Sequence, residues 1–134
     1  MMVSTRGRYA LRVIIDIAEH SDGNYIAMKE VAARQGISLK YLEKILPILV
    51  KAQIVEGVHG KGGGYKLVKE PKDCRVGDIL RLTEGDLAPV ACLSPEASAC
   101  EYHSECRTVD MWTKLNTIVN DYFDSVTIAD LIKK

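Results

Sequence analysis

The chain has 134 residues, 47% of them apolar and 27% charged, and its 18 basic and 18 acidic side chains cancel. That is one domain by length, with the composition of an ordinary soluble globular protein, and no apolar run approaches the roughly 18–20 residues that span a bilayer. The zero net charge hides an asymmetry: residues 1–66 carry ten Lys/Arg against six Asp/Glu, and residues 67–134 carry eight against twelve.

In chain order, Ser4 to His20 reads as an amphipathic helix, because Ala10, Val13, Ile14, Ile17 and Ala18 recur at helical spacing. Ser21, Asp22, Gly23 and Asn24 make a turn. A short helix over Met28–Gln35 follows, with Val31 and Ala32 inward, and Gly36 stops it. The next stretch, ISLKYLEKILPILVKAQ, predicts a second helix capped by Ser38. Its apolar stripe is Leu39, Leu42, Ile45, Leu46, Leu49 and Val50, and Pro47 should bend it or shorten its regular part. Two short helices joined by a tight glycine turn form a helix-turn-helix pattern. Ile54–Val58 and Tyr65–Val68 then read as strands around a glycine-rich tip, His59–Gly64, which is a hairpin. A helix-turn-helix followed by a hairpin is the winged-helix order. The tip sequence GKGGGYK is not a phosphate-binding loop, since strand-like residues follow it and no Gly-Lys-Ser/Thr opens a helix. Its glycines suit close backbone approach to a phosphodiester.

A helix over Val76–Leu82, an irregular segment and a cysteine-rich stretch come next. From Arg107 to Val126 the helical pattern is strong: Trp112, Leu115, Ile118, Val119, Tyr122, Phe123 and Val126. Thr127 caps a last short helix through Ile132. The long helix either packs on its own domain or pairs with a second copy, and the second option matches the habit of helix-turn-helix proteins of binding two half-sites as a homodimer. The expected architecture is therefore mainly α with a small β-hairpin. A winged helix-turn-helix DNA-binding domain occupies 1–82, a cysteine loop 83–106, and a long C-terminal dimerisation helix with its tail 107–134.

The basic half suggests a polyanionic partner, here a double-stranded DNA operator. The second helix of the pair presents Ser38, Lys40, Tyr41, Glu43 and Lys44 outward near the end that enters a major groove. Lys40 and Lys44 suit phosphates, while Ser38 and Tyr41 suit phosphates or base edges. Glu43 is either a solvated surface charge or a filter that accepts from a cytosine N4 amine. The wing tip adds His59 and Lys61, and the first helix adds Arg6 and Arg8.

ACLSPEASACEYHSEC, from Ala91 to Cys106, holds Cys92, Cys100 and Cys106; the fourth cysteine is Cys74. The N-terminal MMVSTRGRYALRV is interrupted by arginines and is not a secretory signal, so the expected compartment is the cytoplasm. Clustered thiols in a reducing compartment bind metal or do redox chemistry more often than they form structural disulfides. Soft thiolates select iron–sulfur clusters, zinc or copper(I). Three readings stand: a cluster held by three cysteines and one nitrogen or oxygen, a Cys3His zinc site using His103, and a metal-free thiol switch. The gaps of seven and five residues fit zinc ligand pairs poorly. No catalytic constellation is visible, and His20, His59 and His103 are scattered, so the chain is not expected to be an enzyme.

Several segments together, TRGRYALRVIIDIAEH, VAARQGISLKYLEKIL, GKGGGYKLVKEP, VGDILRLTEGDLAPV and the three cysteines followed by DMW, resemble the Rrf-type winged-helix regulators, the group that contains IscR, NsrR and CymR. The resemblance covers nearly the whole chain, in the family's order. It implies a winged-helix dimer that binds operator DNA, as a repressor or an activator. Cys92, Cys100 and Cys106 then match the three ligands of a [2Fe–2S] or [4Fe–4S] cluster, tuned by iron–sulfur, redox or nitric oxide status. Ser38, Lys40, Tyr41 and Glu43 match recognition-helix positions, and His59 stands where an arginine is frequent in the wing. Departures concern the fourth ligand. Where IscR-like members use a histidine this chain has Val109, and where NsrR-like members use an aspartate it has Arg8. His103 and Asp110 are the nearest competent groups, with Glu101 and Glu105 beyond them, and an external ligand is the remaining option. The resemblance also admits a CymR-like regulator of cysteine metabolism acting through a protein partner, although such relatives lack the cysteine triplet.

Overall fold

A computed structural model describes residues 3–98 and 100–132. Six α-helices are present among them: α1 Thr5–His20, α2 Met28–Gln35, α3 Leu39–Lys51, α4 Val76–Glu84, α5 Val109–Ser125 and α6 Ile128–Leu131. Strands β1 Val55–Val58 and β2 Gly64–Leu67 pair antiparallel, with Val55 opposite Leu67 and Val58 opposite Gly64. Tyr65 also exchanges two backbone hydrogen bonds with Ile26, both 2.9 Å, which stitches the α1–α2 connection onto the hairpin as a one-residue third strand. The expected mainly helical winged-helix architecture is the one observed.

Helix starts follow local chemistry. The side chain of Ser4 caps α1 by accepting from the Gly7 amide, and the Ser38 hydroxyl caps α3 by accepting from the Tyr41 amide. Gly36, with φ 64°, ends α2 in a left-handed conformation that a side chain disfavours. Pro47 does not shorten α3, which stays helical to Lys51. The ring lies on the exposed side, where solvent can satisfy the carbonyl it leaves open.

The main core gathers Val13, Ile14 and Ile17 of α1, Val31 of α2, Leu42, Ile45 and Leu49 of α3, Val55 of the hairpin and Ile79 of α4. Ile128 of α6 belongs to the same core and is fully buried. Leu39 and Val50, expected in the α3 stripe, are 42% and 41% exposed instead, because both lie just beyond the same edge of the buried arc. A smaller core joins Val76, Leu80 and Leu87 to Val119, Phe123 and Val126. Cys74 lies 3% exposed in the main core, and burial pushes its thiol pKa up.

Two polar connections hold the later helices. Arg81 of α4 donates to both carboxylate oxygens of Asp124 on α5, at 2.9 and 3.0 Å, and to Asn120 Oδ1 at 2.9 Å. That pairing keeps the Asp124 carboxyl below its ordinary value. Helix α4 runs two residues beyond the expected Leu82, and Glu84 at its end accepts from the Ser4 hydroxyl at 2.6 Å and the Ser4 amide at 3.1 Å. After α5 the chain returns to the first core. The Val76 amide donates to Val126 O at 2.9 Å, and the Ile128 amide to Cys74 O at 2.8 Å. A capping box between Thr127 and Asp130 starts α6.

Candidate functional site

The buried side of α3 fixes what its other side shows. With Leu42, Ile45, Leu46 and Leu49 turned inward, helical periodicity places Lys40, Glu43 and Lys44 on the exposed side, and all three are exposed. Ser38 is exposed at the cap, where its oxygen accepts from the Tyr41 amide and its proton stays free to donate. Tyr41 departs from the outward expectation. It is half-buried, edge-on to Tyr9 of α1 with ring centroids 5.4 Å apart, so its ring packs while its hydroxyl forms the polar tip.

His59 and Lys61 are exposed at the wing tip. The tip turns through Gly60 and Gly62, at φ 97° and 78°. The wing's base is firmer: Lys66 pairs with Glu56 across the strands at 3.5 Å, and the Tyr25 hydroxyl donates to the same Glu56 oxygen at 3.1 Å. Arg6 and Arg8 are exposed on the first turn of α1, and Arg8 donates to the Thr5 hydroxyl.

Behind this surface lies a polar cluster that sequence reasoning missed. Asp16 of α1 is fully buried and accepts from Arg34 Nε at 3.0 Å, Arg34 Nη2 at 2.7 Å and Gln35 Nε2 at 2.8 Å. Burial works to raise its pKa, but the hydrogen bonds from Arg34 and Gln35 and the Arg34 charge outweigh it, so the carboxyl sits below its ordinary value. The available signal was a carboxylate set among Val13, Ile14 and Ile17 on an otherwise apolar helix face.

The cysteine loop opens at Gly85. Asp86 ties it down by accepting from the Ala88 amide at 2.9 Å and the Ser94 hydroxyl at 2.6 Å, and the Ser94 bond lowers its pKa. Cys92 lies in a 3-10 turn, Ala91–Leu93, while Cys100 and Cys106 lie among turns. All three thiols are exposed and unbridged. Cys106 Sγ is 3.4 Å from the Thr108 hydroxyl; that contact and the backbone amides opening α5 hold its thiol below the ordinary value. His103, within the loop, and Asp110, just after it on α5, are exposed. Val109 and Arg8 offer no iron ligand. Among the described residues, no three His, Cys, Asp or Glu side chains converge on one point. The donor set thus fits a thiolate-bound metal centre in chemistry, though not as a convergent group of three in this arrangement.

Helix α5, which the loop enters, has no fully buried residue. One side packs on α4. Met111, Leu115, Ile118 and Tyr122, spaced like a heptad seam, are 54%, 38%, 55% and 63% exposed. Among the described residues, no helix is long and apolar enough to cross a membrane.

Comparison with known proteins agrees with this arrangement. The family model Rrf2, described as an iron-dependent transcriptional regulator, matches residues 3–134. The protein rrf2 of Nitratidesulfovibrio vulgaris is 36% identical over 99% of this chain and 88% of its own length. Among solved structures, T. potens IscR is 33% identical with a TM-score of 0.74, covering 98% of this chain and 85% of its own. CymR, the global cysteine regulator of B. subtilis, is 32% identical with a TM-score of 0.81, covering 98% and 95%. With a match that runs from the start of α1 through the wing, the cysteine loop and α5, the chain belongs to the Rrf2 family of transcriptional regulators.

Proposed function

We propose that this regulator binds operator DNA as a homodimer and adjusts that binding through an iron–sulfur cluster held by Cys92, Cys100 and Cys106. Ser38, Lys40, Glu43 and Lys44, with the Tyr41 hydroxyl, enter the major groove. His59 and Lys61 follow the flanking backbone or minor groove, and Arg6 and Arg8 meet phosphates. The α5 seam of Met111, Leu115, Ile118 and Tyr122 covers its counterpart in a second copy.

One observation carries the sensing part: three exposed thiols occupy the segment that runs directly into the helix with the uncovered seam. A change in how that loop is held alters how α5 leaves it, and so the spacing of two recognition helices. When bound, a [2Fe–2S] or [4Fe–4S] cluster supplies one-electron redox chemistry and sensitivity to oxidants and nitric oxide. His103, Asp110 or an external group completes the ligand set.

Three exposed, unbridged thiols on one loop also admit a second reading, a metal-free thiol switch in which oxidation joins two loop cysteines, beside a CymR-like regulator of cysteine metabolism acting through a protein partner. Anaerobic reconstitution with iron and sulfide separates the two. The cluster reading expects visible absorbance that disappears in the Cys92→Ala, Cys100→Ala and Cys106→Ala variants, and a different operator affinity for the apo and loaded forms. A colourless protein after reconstitution sinks it. A disulfide within the loop, mapped by mass spectrometry after mild oxidation, then supports the thiol switch.

A further inference from the structure

Arg12 lies on the exposed face of α1, and its guanidinium is directed at the protein. Its Nε donates to Gln35 Oε1 at 3.2 Å, and its Nη2 donates to the Gln35 backbone carbonyl. Gln35 is the last residue of α2, where helix carbonyls lack intrahelical partners, so Arg12 satisfies one of these open acceptors. The Gln35 amide cannot rotate freely, because its Nε2 donates to the buried carboxylate of Asp16. An ionised carboxylate only accepts, so it turns the amide nitrogen inward and the amide oxygen toward Arg12. The guanidinium also lies 5.2 Å from the centroid of the Tyr9 ring, and Tyr9 meets Tyr41 edge-on in the first turn of α3.

A single side chain on α1 therefore bears on both sides of the turn that aims the recognition helix. It holds the end of α2 directly and the start of α3 through Tyr9. Between the two helices run only Gly36, in its left-handed conformation, the buried Ile37 and the cap Ser38. We propose that Arg12 is a positioning residue that sets the aim of α3 and so contributes to operator discrimination without touching DNA. The proposal rests on the DNA-binding reading above. Arginine is required because the contact uses a fork, with two nitrogens on two oxygens of one residue and the guanidinium plane near a ring; a lysine ammonium supplies the charge without that geometry.

The test uses the full chain, a duplex selected from a random-sequence pool as its operator, and a scrambled duplex of equal length. Wild type, Arg12→Ala and Arg12→Lys are compared by fluorescence anisotropy across a salt series, with helical circular dichroism confirming the fold. Both variants are expected to lose about tenfold in operator affinity, the scale of one misplaced base contact. Affinity for the scrambled duplex and the slope against log salt should stay as in wild type. A slope reduced by about one in Arg12→Ala, with Arg12→Lys near wild type, identifies a phosphate contact and overturns the proposal. Unchanged operator affinity in Arg12→Ala overturns it equally. A wild-type protein that selects no duplex refutes the DNA-binding reading itself, a result distinct from either.

Discussion

Removing Arg34 exposes what the buried Asp16 carboxylate demands. Deleting one partner of a fully buried ion pair costs about 3–5 kcal/mol, mostly because a charge is left behind without compensation. Here the Asp16 side chain is 0% exposed while that of Arg34 is 34% exposed, and Gln35 still donates to the carboxylate. Those two facts bring the expected cost of Arg34→Ala to about 2–3 kcal/mol near neutral pH. In wild type the Asp16 pKa lies below the ordinary 3.8, so its contribution is present above that value and fades as pH falls through the lower folded one. Without Arg34, its hydrogen bonds and charge no longer oppose burial, only Gln35 and His20 still do, and the folded pKa moves up. Because the variant's folded pKa lies above that of wild type, the cost of the substitution is full at neutral pH and shrinks as acid protonates the buried carboxyl. Urea unfolding followed by helical circular dichroism, at one protein concentration from about pH 4.5 to 8, measures the difference between variant and wild type. That difference should narrow steadily toward the acid end. A second check comes from Asp16→Ala combined with Arg34→Ala, which removes the stranded charge and should be more stable at pH 8 than Arg34→Ala alone. A pH-independent cost, or a double variant less stable than the single, would refute the reasoning.

Two further substitutions probe other parts of the molecule. Ile118→Asp places a charge in the middle of the exposed α5 seam, so the protein should stay folded yet sediment as a monomer, with wild type sedimenting as a dimer; a wild-type monomer contradicts the seam's proposed role. Gly64→Ala puts a methyl group against the Ile26 carbonyl at a residue with φ 151°, and it should cost about 1–3 kcal/mol in urea unfolding, with loss of the Ile26–Tyr65 bridge seen as faster amide exchange at Tyr65.

Local chemistry was legible in the sequence wherever it alone decides the outcome. Ser38, Gly36 and Thr127 mark helix ends through their own hydrogen bonds or backbone freedom, and each stands at the boundary expected of it. What escaped depends on residues far apart in sequence. Helix α4 continues to Glu84 because that carboxylate meets Ser4, 80 positions earlier, and no periodicity carries such information. Tyr25 and Ile26 fall between the expected turn and the next helix with no role assigned by pattern, yet the wing takes them as its outer edge. Tyr41 reads as an outward polar residue until Tyr9 is brought against it. The cysteines announce themselves by residue type, but type says nothing of geometry, and no three donors converge among the described residues. Asp16 is hidden in the sequence because an amphipathic stripe absorbs one carboxylate without disturbing the pattern.

The return of the chain after α5 carries a mechanical consequence. Ile128 is sunk in the winged-helix core, and backbone bonds at Val126 and Ile128 clamp the segment just before it, so the far end of α5 is a fulcrum. The near end meets the cysteine loop, whose ties are fewer and more exposed. A helix of 17 residues is about 25 Å long at 1.5 Å per residue, so a displacement of ~1 Å at the loop becomes a tilt of only ~2° about the anchored end. The exposed seam lies along that lever, and a second copy packed on it would feel the tilt as a rotation between subunits. Leverage of this kind amplifies nothing in energy; it turns a small local rearrangement into a change of angle.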